Sequence, residues 1–542
     1  MDIPVTLTSW SLAFLPLAAL LILMLVQRWG IAEAGPVAWL LAVVVAATYF
    51  QSPWQAIGFQ SVAGAWSALT VLYVVWASIL IYEVTREGQA FEPLRGHITR
   101  LLPDPLIQTL AFGWAFASFL QGVTGFGVPI AVCAPLLVGI GVRPLYAVII
   151  PLIGHAWNNT FGTLAVAWLG LKQITGLDPV TATHTALYAA AFIWVLNILG
   201  GLLVCWIYAG LSGIRRGLPA IAIMSLIQGG LTVLLAPWSD VLNGFIASST
   251  AFIAIFLIGR LPMYRQPRAA ISHIFTEDRQ NAETGATGVG AHSVGAAEVR
   301  RPSMTLHQAF IPYYALLVVT FGVLLIPPVK NALGNVSVAL GFPATLTGLG
   351  FHSDASQASI SVLTHPGSFL LAAAVIAYIA FSRMQTLKSG SLSRILKGTL
   401  EKAIPSTIAI VALIAMSKVL AGAGAVQVLA HGVAVATGPY YGVLAPFVGG
   451  LGAFMTSSNL ASNLVFGSFQ SSTATAVGLS KPAILAAQTV GGAAGNMIAP
   501  GNVLLGTTTA GILGREGDVL KTTLPLFLLV SVLIGLVVFF VA

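Results

Sequence analysis

The sequence predicts an all-α polytopic membrane protein with about twelve transmembrane helices and two re-entrant helical hairpins in an inverted repeat. The chain is 57% hydrophobic and 7% charged, whereas a soluble domain carries about 25% charged residues. Apolar runs of about 18 residues or more recur along its length, which is typical of helices that cross a bilayer. Two further apolar stretches are interrupted by glycine and polar residues, and these predict the hairpins.

The first interrupted stretch covers residues 113–135 and reads GWAFASFLQGVTGFGVPIAVCAP. Its centre, 121–129, holds three glycines and a proline, which are costly in the interior of a helix. Open backbone at membrane depth is tolerated only where it is buried in protein or lines a cavity. We therefore predict a first hairpin over about 105–142, with Gln121 and Thr124 at a tip that faces a polar site.

The second interrupted stretch, 449–470, reads GGLGAFMTSSNLASNLVFGSFQ. Its polar centre lies at 456–459 and continues at Ser462 and Asn463, between apolar flanks. It predicts a second hairpin over about 441–478.

The other elements follow from apolar runs and from basic loops, which favour the cytoplasmic side. Basic clusters at 86–100, 215–216, 383–402 and 515–521 predict cytoplasmic ends, so the net charge of +8 reflects loops rather than nucleic-acid binding. A first crossing (144–170) follows the first hairpin, and a second crossing (482–512) follows the second. The remaining spans are predicted near 10–27, 36–52, 64–83, 184–210, 218–236, 241–260, 309–328, 366–382, 403–421 and 522–541, with an ambiguous apolar piece at 425–437.

The domain organisation follows from these elements. We expect N-terminal scaffold helices (1–100), a first hairpin-containing transport repeat (101–210), transmembrane helices (211–260), a disordered cytoplasmic linker (261–308), scaffold helices (309–440) and a second hairpin-containing transport repeat (441–542). The linker is rich in Gly, Ala and small polar residues, a composition that cannot bury a core.

The two repeats are predicted to be inverted with respect to each other. By the basic-loop rule the first hairpin enters from the cytoplasm and the second from outside. Pro144 and Pro482 are 338 residues apart, as are Asn158 and Asn496. An inverted repeat with interrupted helices implies a binding site near the bilayer midplane.

The polar residues of the hairpins and crossings are nearly all neutral, and neither the hairpins nor the body of either crossing contains Asp or Glu. Amides, hydroxyls and helix N-termini suit a small anion, while the oxygens of the same side chains can coordinate Na⁺. His155 is the ionisable residue of the first crossing and could carry a proton. The alternative role for any single Ser, Thr or Asn is to hydrogen-bond neighbouring helices to each other. The candidate substrate- or ion-binding residues are Gln121, Thr124, His155, Asn158, Asn159, Thr160, Thr456, Ser457, Ser458, Asn459, Asn463 and Asn496.

Enzymatic motifs are absent from the sequence: it contains neither a phosphate-binding GxxxxGK[ST] nor HExxH. Cys133 and Cys205 lie in apolar runs and form no metal or disulfide framework. We expect neither a cofactor nor a resident metal, only a coupling ion, H⁺ or Na⁺. The expected partners are a small organic anion and the lipid bilayer, with no nucleic acid, and the oligomeric state is open, a homodimer included.

The two hairpin regions also carry a resemblance. FGWAFASFLQGVTGFGVPIAVCAPLLVGIG (112–141) and GAFMTSSNLASNLVFGSFQSSTATAVGL (452–479) resemble the bacterial L-lactate permease family, which includes glycolate permeases. Further matches are HPGSFLLAA (365–373) and AAQTVGGAAGNMIAPGNVLL (486–505). The resemblance implies uptake of small 2-hydroxymonocarboxylates, usually with protons, across a bacterial cytoplasmic (inner) membrane. It also implies kinship with the ion transporter superfamily, with its paired re-entrant hairpins.

This chain departs from the family pattern at the expected site. The pattern has acidic residues at the positions of Gln121 and Asn459 and a lysine at that of Asn496, and TAPVAFG where this chain has AWNNTFG. We expect an H⁺-coupled symporter of lactate or a related 2-hydroxy acid. The alternatives are a Na⁺-coupled carrier of another small organic anion and an uncoupled anion channel.

Overall fold

The computed structural model describes residues 5–265, 272–276 and 304–542, so most of the predicted linker lies outside the described residues. The first half contains the α-helices Leu7–Leu25, Ile31–Thr48, Trp54–Glu87, Phe91–Leu101, Pro105–Leu110, Ala117–Val123, Val128–Gly139, Pro144–Ala156, Gly162–Thr175, Pro179–Ser225, Leu231–Leu235 and Asp240–Ile258. The π-helical segments Ala111–Phe116 and Leu226–Gly230 and the 3₁₀ turns Trp157–Asn159 and Pro262–Tyr264 join them. The second half contains the helices Leu306–Ala309, Ile311–Leu324, Pro327–Gly334, Pro366–Arg383, Ser391–Gly422, Ala425–Thr437, Tyr441–Thr456, Asn459–Val477, Lys481–Gly495, Pro500–Thr509 and Glu516–Val541, with 3₁₀ turns at Gly438–Tyr440 and Asn496–Ile498.

The fold is that of a helical membrane protein, as predicted. Within the described residues, ten helices are long and apolar enough to cross a membrane, or eleven if the pair Ile311–Leu324 and Pro327–Gly334, bent by 85°, is one span. The longest, Pro179–Leu235, reverses direction at Gly210, where φ is 56°. Trp194 Nε1 donates to Ser225 Oγ across the two arms at 3.0 Å, so this segment supplies two antiparallel spans.

A small β structure lies in the loop between 334 and 366, where the sequence predicts no strands. Strand Ser337–Phe342 pairs antiparallel with Ser356–Ser361, and Thr345–Leu346 pairs with His352–Ser353. The backbone N–H of Gly348 donates to the carbonyl oxygen of Gln51 at 2.8 Å, which attaches this structure to the start of helix Trp54–Glu87.

Buried charge holds the scaffold helices together at one end. Helix Trp54–Glu87 packs against Ser391–Gly422, and its buried Glu83 carboxylate pairs with Arg86 and with Lys402 of the neighbouring helix. A buried carboxylate persists only with such partners, since an unpaired one costs several kcal/mol, roughly 3–5. This pair places the basic stretch over 383–402 next to the basic stretch that follows Glu83. Both stretches therefore lie on the same side of the membrane, as predicted from their charge.

Each half contains one hairpin built from two antiparallel arms. The first hairpin runs over 105–139 and is interrupted between Val123 and Val128, and the second runs over 441–477 and is interrupted at Ser457 and Ser458. In the second hairpin, Ser462 Oγ donates to the carbonyl oxygen of Gly449 at 2.7 Å, and Gln470 Nε2 donates to that of Ala445 at 2.9 Å. From the first pair to the second, the residue number rises in one arm (462 to 470) and falls in the other (449 to 445). The two arms are therefore antiparallel, and the chain turns back at the tip.

Both crossings break at equivalent positions. Helix Pro144–Ala156 passes through a 3₁₀ turn into Gly162–Thr175, and Lys481–Gly495 passes through a 3₁₀ turn into Pro500–Thr509. The two 3₁₀ turns begin 339 residues apart (496 − 157), within one residue of the offset of 338 that separates Pro144 from Pro482. The local structure therefore repeats at the spacing seen in the sequence.

Glycines allow each hairpin to lie directly against its crossing. A Cβ on Gly154 would lie 1.9 Å from the carbonyl oxygen of Gly113, and one on Gly449 would lie 2.0 Å from that of Gln488. Small residues at helix contacts let backbones approach closely in membranes, where dispersion and hydrogen bonds replace the hydrophobic effect.

Replacing Gly154 by alanine is therefore expected to lower the free energy of unfolding by about 1–3 kcal/mol, the usual cost of overpacking. Gly96→Ala is the matched control, because Gly96 also lies inside a helix and a Cβ there meets no atom within 4 Å. Thermal unfolding of the purified variants in detergent measures the difference. Equal melting temperatures for the two variants would contradict the close approach of hairpin and crossing.

Candidate functional site

The first tip is built from left-handed backbone. Gly125, Phe126 and Gly127 have φ of 59°, 49° and 80°, and helix Val128–Gly139 starts directly after them. The two glycines adopt this conformation at little cost, while Phe126 is held in it between them. Its side chain is 39% exposed, unusual for an aromatic ring surrounded by buried chain, because it lies at the edge of a cavity.

The break in the first crossing is left-handed as well. Thr163, Leu164 and Ala165 have φ of 53°, 48° and 65° and are buried. Non-glycine residues in this region cost of order 1–3 kcal/mol each, and they persist where the surrounding structure imposes them, often at binding sites. Thr163 Oγ1 donates to the carbonyl oxygen of Gln121 at 3.2 Å, so the break is docked on the first tip.

The second tip docks on its own crossing in the same manner. Ser457 has φ of 54°, and its Oγ accepts a hydrogen bond from the backbone N–H of Gly501 at 3.0 Å. Ser458 caps helix Asn459–Val477 by accepting from the N–H of Ala461 at 3.3 Å. Thr163 and Gly501 are again 338 residues apart (501 − 163), so the two tips contact equivalent positions of the repeat.

A small cavity of about 50 Å³ lies between these four broken elements. Its lining consists of Gln121, Phe126, Gly127, His155, Asn159, Thr163, Val166, Ala167, Ser457, Ser458, Asn459, Leu460, Asn496 and Asn502. Apart from His155, none of these side chains is ionisable, which agrees with the neutral composition of the hairpins.

Two helices begin at the cavity, with their N-termini at its wall. The N-cap residues Gly127 and Ser458 both line it, as do Asn459 and Leu460 of the second helix. The N-terminus of a helix carries a partial positive charge and backbone N–H groups that suit an anion. The cavity can therefore hold a small anion without a formal positive charge in its lining.

His155 lines the cavity and is anchored within its own helix through one ring nitrogen. Its Nδ1 lies 2.6 Å from the carbonyl oxygen of Pro151, in the same helix. A carbonyl only accepts, so Nδ1 carries the hydrogen and Nε2 of the neutral ring has a free lone pair. His155 can thus accept a proton at Nε2 without giving up its bond to Pro151.

Seven of the twelve predicted site residues line the cavity. They are Gln121, His155, Asn159, Ser457, Ser458, Asn459 and Asn496. The lining also includes residues that were not among the candidates: Phe126, Gly127, Thr163, Val166, Ala167, Leu460 and Asn502. Thr163 and Asn502 are polar residues of the crossings and could have been selected on that ground, whereas the apolar residues carry no such signal.

Five predicted residues lie beside the cavity instead of lining it. Thr124 Oγ1 donates to Leu120 O at 2.9 Å and Thr456 Oγ1 to Gly452 O at 2.8 Å, so both hydroxyls complete helix ends behind the tips. Asn158 turns away from the cavity. Its Nδ2 donates to the carbonyl oxygens of Ser118, at 3.0 Å, and Gly244, at 3.2 Å.

The other two, Thr160 and Asn463, belong to a polar cluster behind Asn459. Asn463 Nδ2 donates to Thr489 Oγ1 at 3.0 Å, and Thr489 Oγ1 donates to Thr160 Oγ1 at 3.3 Å. Asn459 Nδ2 lies 3.4 Å from Thr160 Oγ1. The amide oxygens of Asn459 and Asn463 are buried and have no partner among the described residues. The cluster joins the second hairpin to both crossings.

An integral membrane transporter is the class of protein that this bundle and its cavity between interrupted helices define. The chain belongs to the L-lactate permease family, whose model matches residues 9–542. It is similar to the L-lactate permease of Halalkalibacterium halodurans (27% identical, covering 95% of this chain and 93% of that protein). It is also similar to the glycolate permease GlcA of Escherichia coli (26%, covering 98% and 95%).

Among solved structures, the chain aligns with the YdaH transporter of Alcanivorax borkumensis over 87% of this chain and 86% of that one, at 14% identity and a TM-score of 0.41. Family and spans together make the present protein a multi-pass protein of a bacterial cytoplasmic membrane, and its relatives are permeases rather than enzymes.

The adjacent residues Asn158 and Asn159 provide a direct test of the site. Asn158→Ala is expected to lower the free energy of unfolding by about 1 kcal/mol, because it removes hydrogen bonds between helices. Asn159→Ala removes only a bond within the same crossing, from Nδ2 to the carbonyl oxygen of Ala156 at 3.1 Å, so the melting temperature is expected to fall less than in Asn158→Ala. The KM of uptake is expected to rise about tenfold, the loss of one good hydrogen bond to substrate. Melting curves and uptake kinetics of both variants measure this. The opposite pattern would mean that the roles of the two residues are exchanged.

Proposed function

We propose that the protein is a secondary active symporter that takes up lactate or a related 2-hydroxymonocarboxylate together with a proton. The observation that carries the proposal is the cavity between the two hairpin tips, where neutral hydrogen-bonding side chains surround one histidine. The relatives support the substrate class, because they are named L-lactate and glycolate permeases.

The cavity has the chemistry that a short 2-hydroxy acid needs. The N-terminus of the helix capped by Ser458 attracts the carboxylate. Amides such as Asn159 and Asn496 can bond the hydroxyl, while Phe126 and Val166 offer apolar contact to a methyl group. The cavity is small, about 50 Å³, which favours a short acid over a large organic anion.

His155 is the proposed proton carrier. In the outward-facing state, Nε2 takes a proton from outside, and the imidazolium then donates a hydrogen bond to the substrate carboxylate. The charge of the proton balances that of the anion, so the loaded site is neutral when the protein changes conformation. On the inside the anion leaves, Nε2 releases the proton to water, and the neutral ring returns with its Nδ1–H still bonded to Pro151.

Sodium coupling is the second candidate, favoured by a specific observation. The cluster of Thr160, Asn459, Asn463 and Thr489 collects hydroxyl and amide oxygens, two of them without partners among the described residues. Neutral oxygens at broken helices are the ligands by which transporters hold Na⁺. In that case the cation would sit behind the tip and His155 would only hydrogen-bond the substrate.

Uptake of labelled L-lactate into proteoliposomes, with the pH and Na⁺ gradients imposed separately, distinguishes the candidates. A pH gradient alone is expected to drive concentrative, saturable uptake. Accumulation driven only by the Na⁺ gradient would identify Na⁺, and not H⁺, as the coupling ion. Non-saturating flux without either gradient would indicate a channel. If lactate is not taken up under either gradient and another small organic anion is transported instead, lactate is not the substrate.

His155→Gln tests the proton carrier. Glutamine cannot take up a proton, so accumulation driven by the pH gradient is expected to fall to the equilibrium level. Exchange of external for internal lactate requires no net proton movement and should persist, at a reduced rate because the loaded site keeps the negative charge of the anion. His184→Gln is the matched control, since His184 is exposed near the start of helix Pro179–Ser225 and away from the cavity. Undiminished accumulation by the His155 variant would contradict the proposed role.

A further inference from the structure

A second cavity lies outside the substrate site, on the flank of the bundle. It has a volume of about 320 Å³ and lies between helix Pro179–Ser225 and the last helix, Glu516–Val541. Its lining is apolar except for Thr522. The volume falls in the range of about 300–1,000 Å³ typical of ligand pockets.

The shape of this cavity is that of a groove parallel to the helices. Leu199 and Trp206 line one wall, and Thr522 and Leu529 line the other. Each pair spans seven residues, which is about 10 Å along a helix. Trp206 is 52% exposed and Leu529 is 48% exposed, so the groove opens on the outside of the bundle, where lipid chains lie.

One end of the groove is basic. Ile214 and Thr522 line that end, and their chain neighbours Arg215 and Lys521 are exposed. Lys521 shares Asp518 with Arg515, with distances of 3.0 Å and 2.9 Å, whereas Arg215 has no ion pair among the described residues. Basic residues near both walls thus flank an apolar channel. By the basic-loop rule this is the cytoplasmic end.

We propose that this groove binds one anionic phospholipid of the bilayer, with an acyl chain along the apolar walls and the phosphate between Arg215 and Lys521. An acyl chain fits because the groove is narrow, apolar, open to the membrane and parallel to the spans. An anionic headgroup fits because the charges at its mouth are predominantly positive, and basic pockets between helices on this side recruit such lipids.

The lipid would connect the two halves of the chain. Helix Pro179–Ser225 belongs to the first half and Glu516–Val541 to the second, and both pack against helix Lys481–Gly495 of the second crossing. A lipid between them would therefore lie against two helices that both support this crossing. Lipid binding at this groove is independent of which anion or coupling ion the protein uses.

The test is lipid retention by the purified full-length protein. Delipidated protein is exposed to equimolar phosphatidylglycerol and phosphatidylcholine with identical acyl chains, and bound lipid is counted by native mass spectrometry. Wild-type protein should retain phosphatidylglycerol preferentially. Arg215→Gln and Lys521→Gln should each lower that preference about fivefold. Lys388→Gln, the same change at another exposed basic position, should leave it unchanged.

Two substitutions test the acyl-chain half of the groove. Leu202→Trp and Leu203→Trp fill the cavity and should remove the bound lipid while the melting temperature in detergent stays within a few degrees of wild type. Unchanged phosphatidylglycerol preference in both charge variants would overturn the proposal, as would lipid retention in a well-folded groove-filled variant. A dimer that dissociates when the groove is filled would identify a second copy of the chain as the occupant instead.

Discussion

The constraint on which this structure depends is that hydrocarbon cannot satisfy an open backbone. A helix that breaks at membrane depth must direct its free N–H and C=O groups at protein or at a polar cavity. The chain breaks four times in its two repeats, and every break is docked on another: the first tip on Thr163, the second on Gly501. The cavity is the space that these breaks enclose, so the same backbone groups that would be costly in lipid become available to a ligand.

Charge is distributed to fit this arrangement. Paired charges such as Glu83 with Lys402 and Asp104 with Arg216 join neighbouring helices and do not line the cavity. Burial raises the pKa of the Asp104 carboxyl, and Arg216 opposes that shift. The cavity lining has no such pair and only one ionisable side chain, His155. Under the proposed proton symport, one proton and one anion would set the net charge of the site, which would then change between its two states without moving a fixed charge through lipid.

The sequence predicted the parts of the fold that depend on composition and spacing. Glycine and proline at the first tip, polar residues at the second and the 338-residue offset all correspond to features of the structure. Other features depend on geometry that residue types do not encode. Asn158 and Asn159 look equivalent in sequence, yet a 3₁₀ turn directs one to the carbonyls of Ser118 and Gly244 and the other to the cavity. The left-handed run at 163–165 consists of residues that do not favour that conformation, so only tertiary contacts explain it. The strands over 337–361 are short and rich in small residues, which hides their alternation.

The central claim is that both tips form one substrate site, and thiol labelling tests it most directly. Single cysteines are introduced as Phe126→Cys and Ser457→Cys, with Leu346→Cys as the exposed control. The native Cys133 and Cys205 are buried, so they contribute little background. Saturating L-lactate should slow labelling at both tips and leave the control unchanged. Equal labelling rates at either tip with and without a substrate that the protein transports would contradict a site shared between the hairpins.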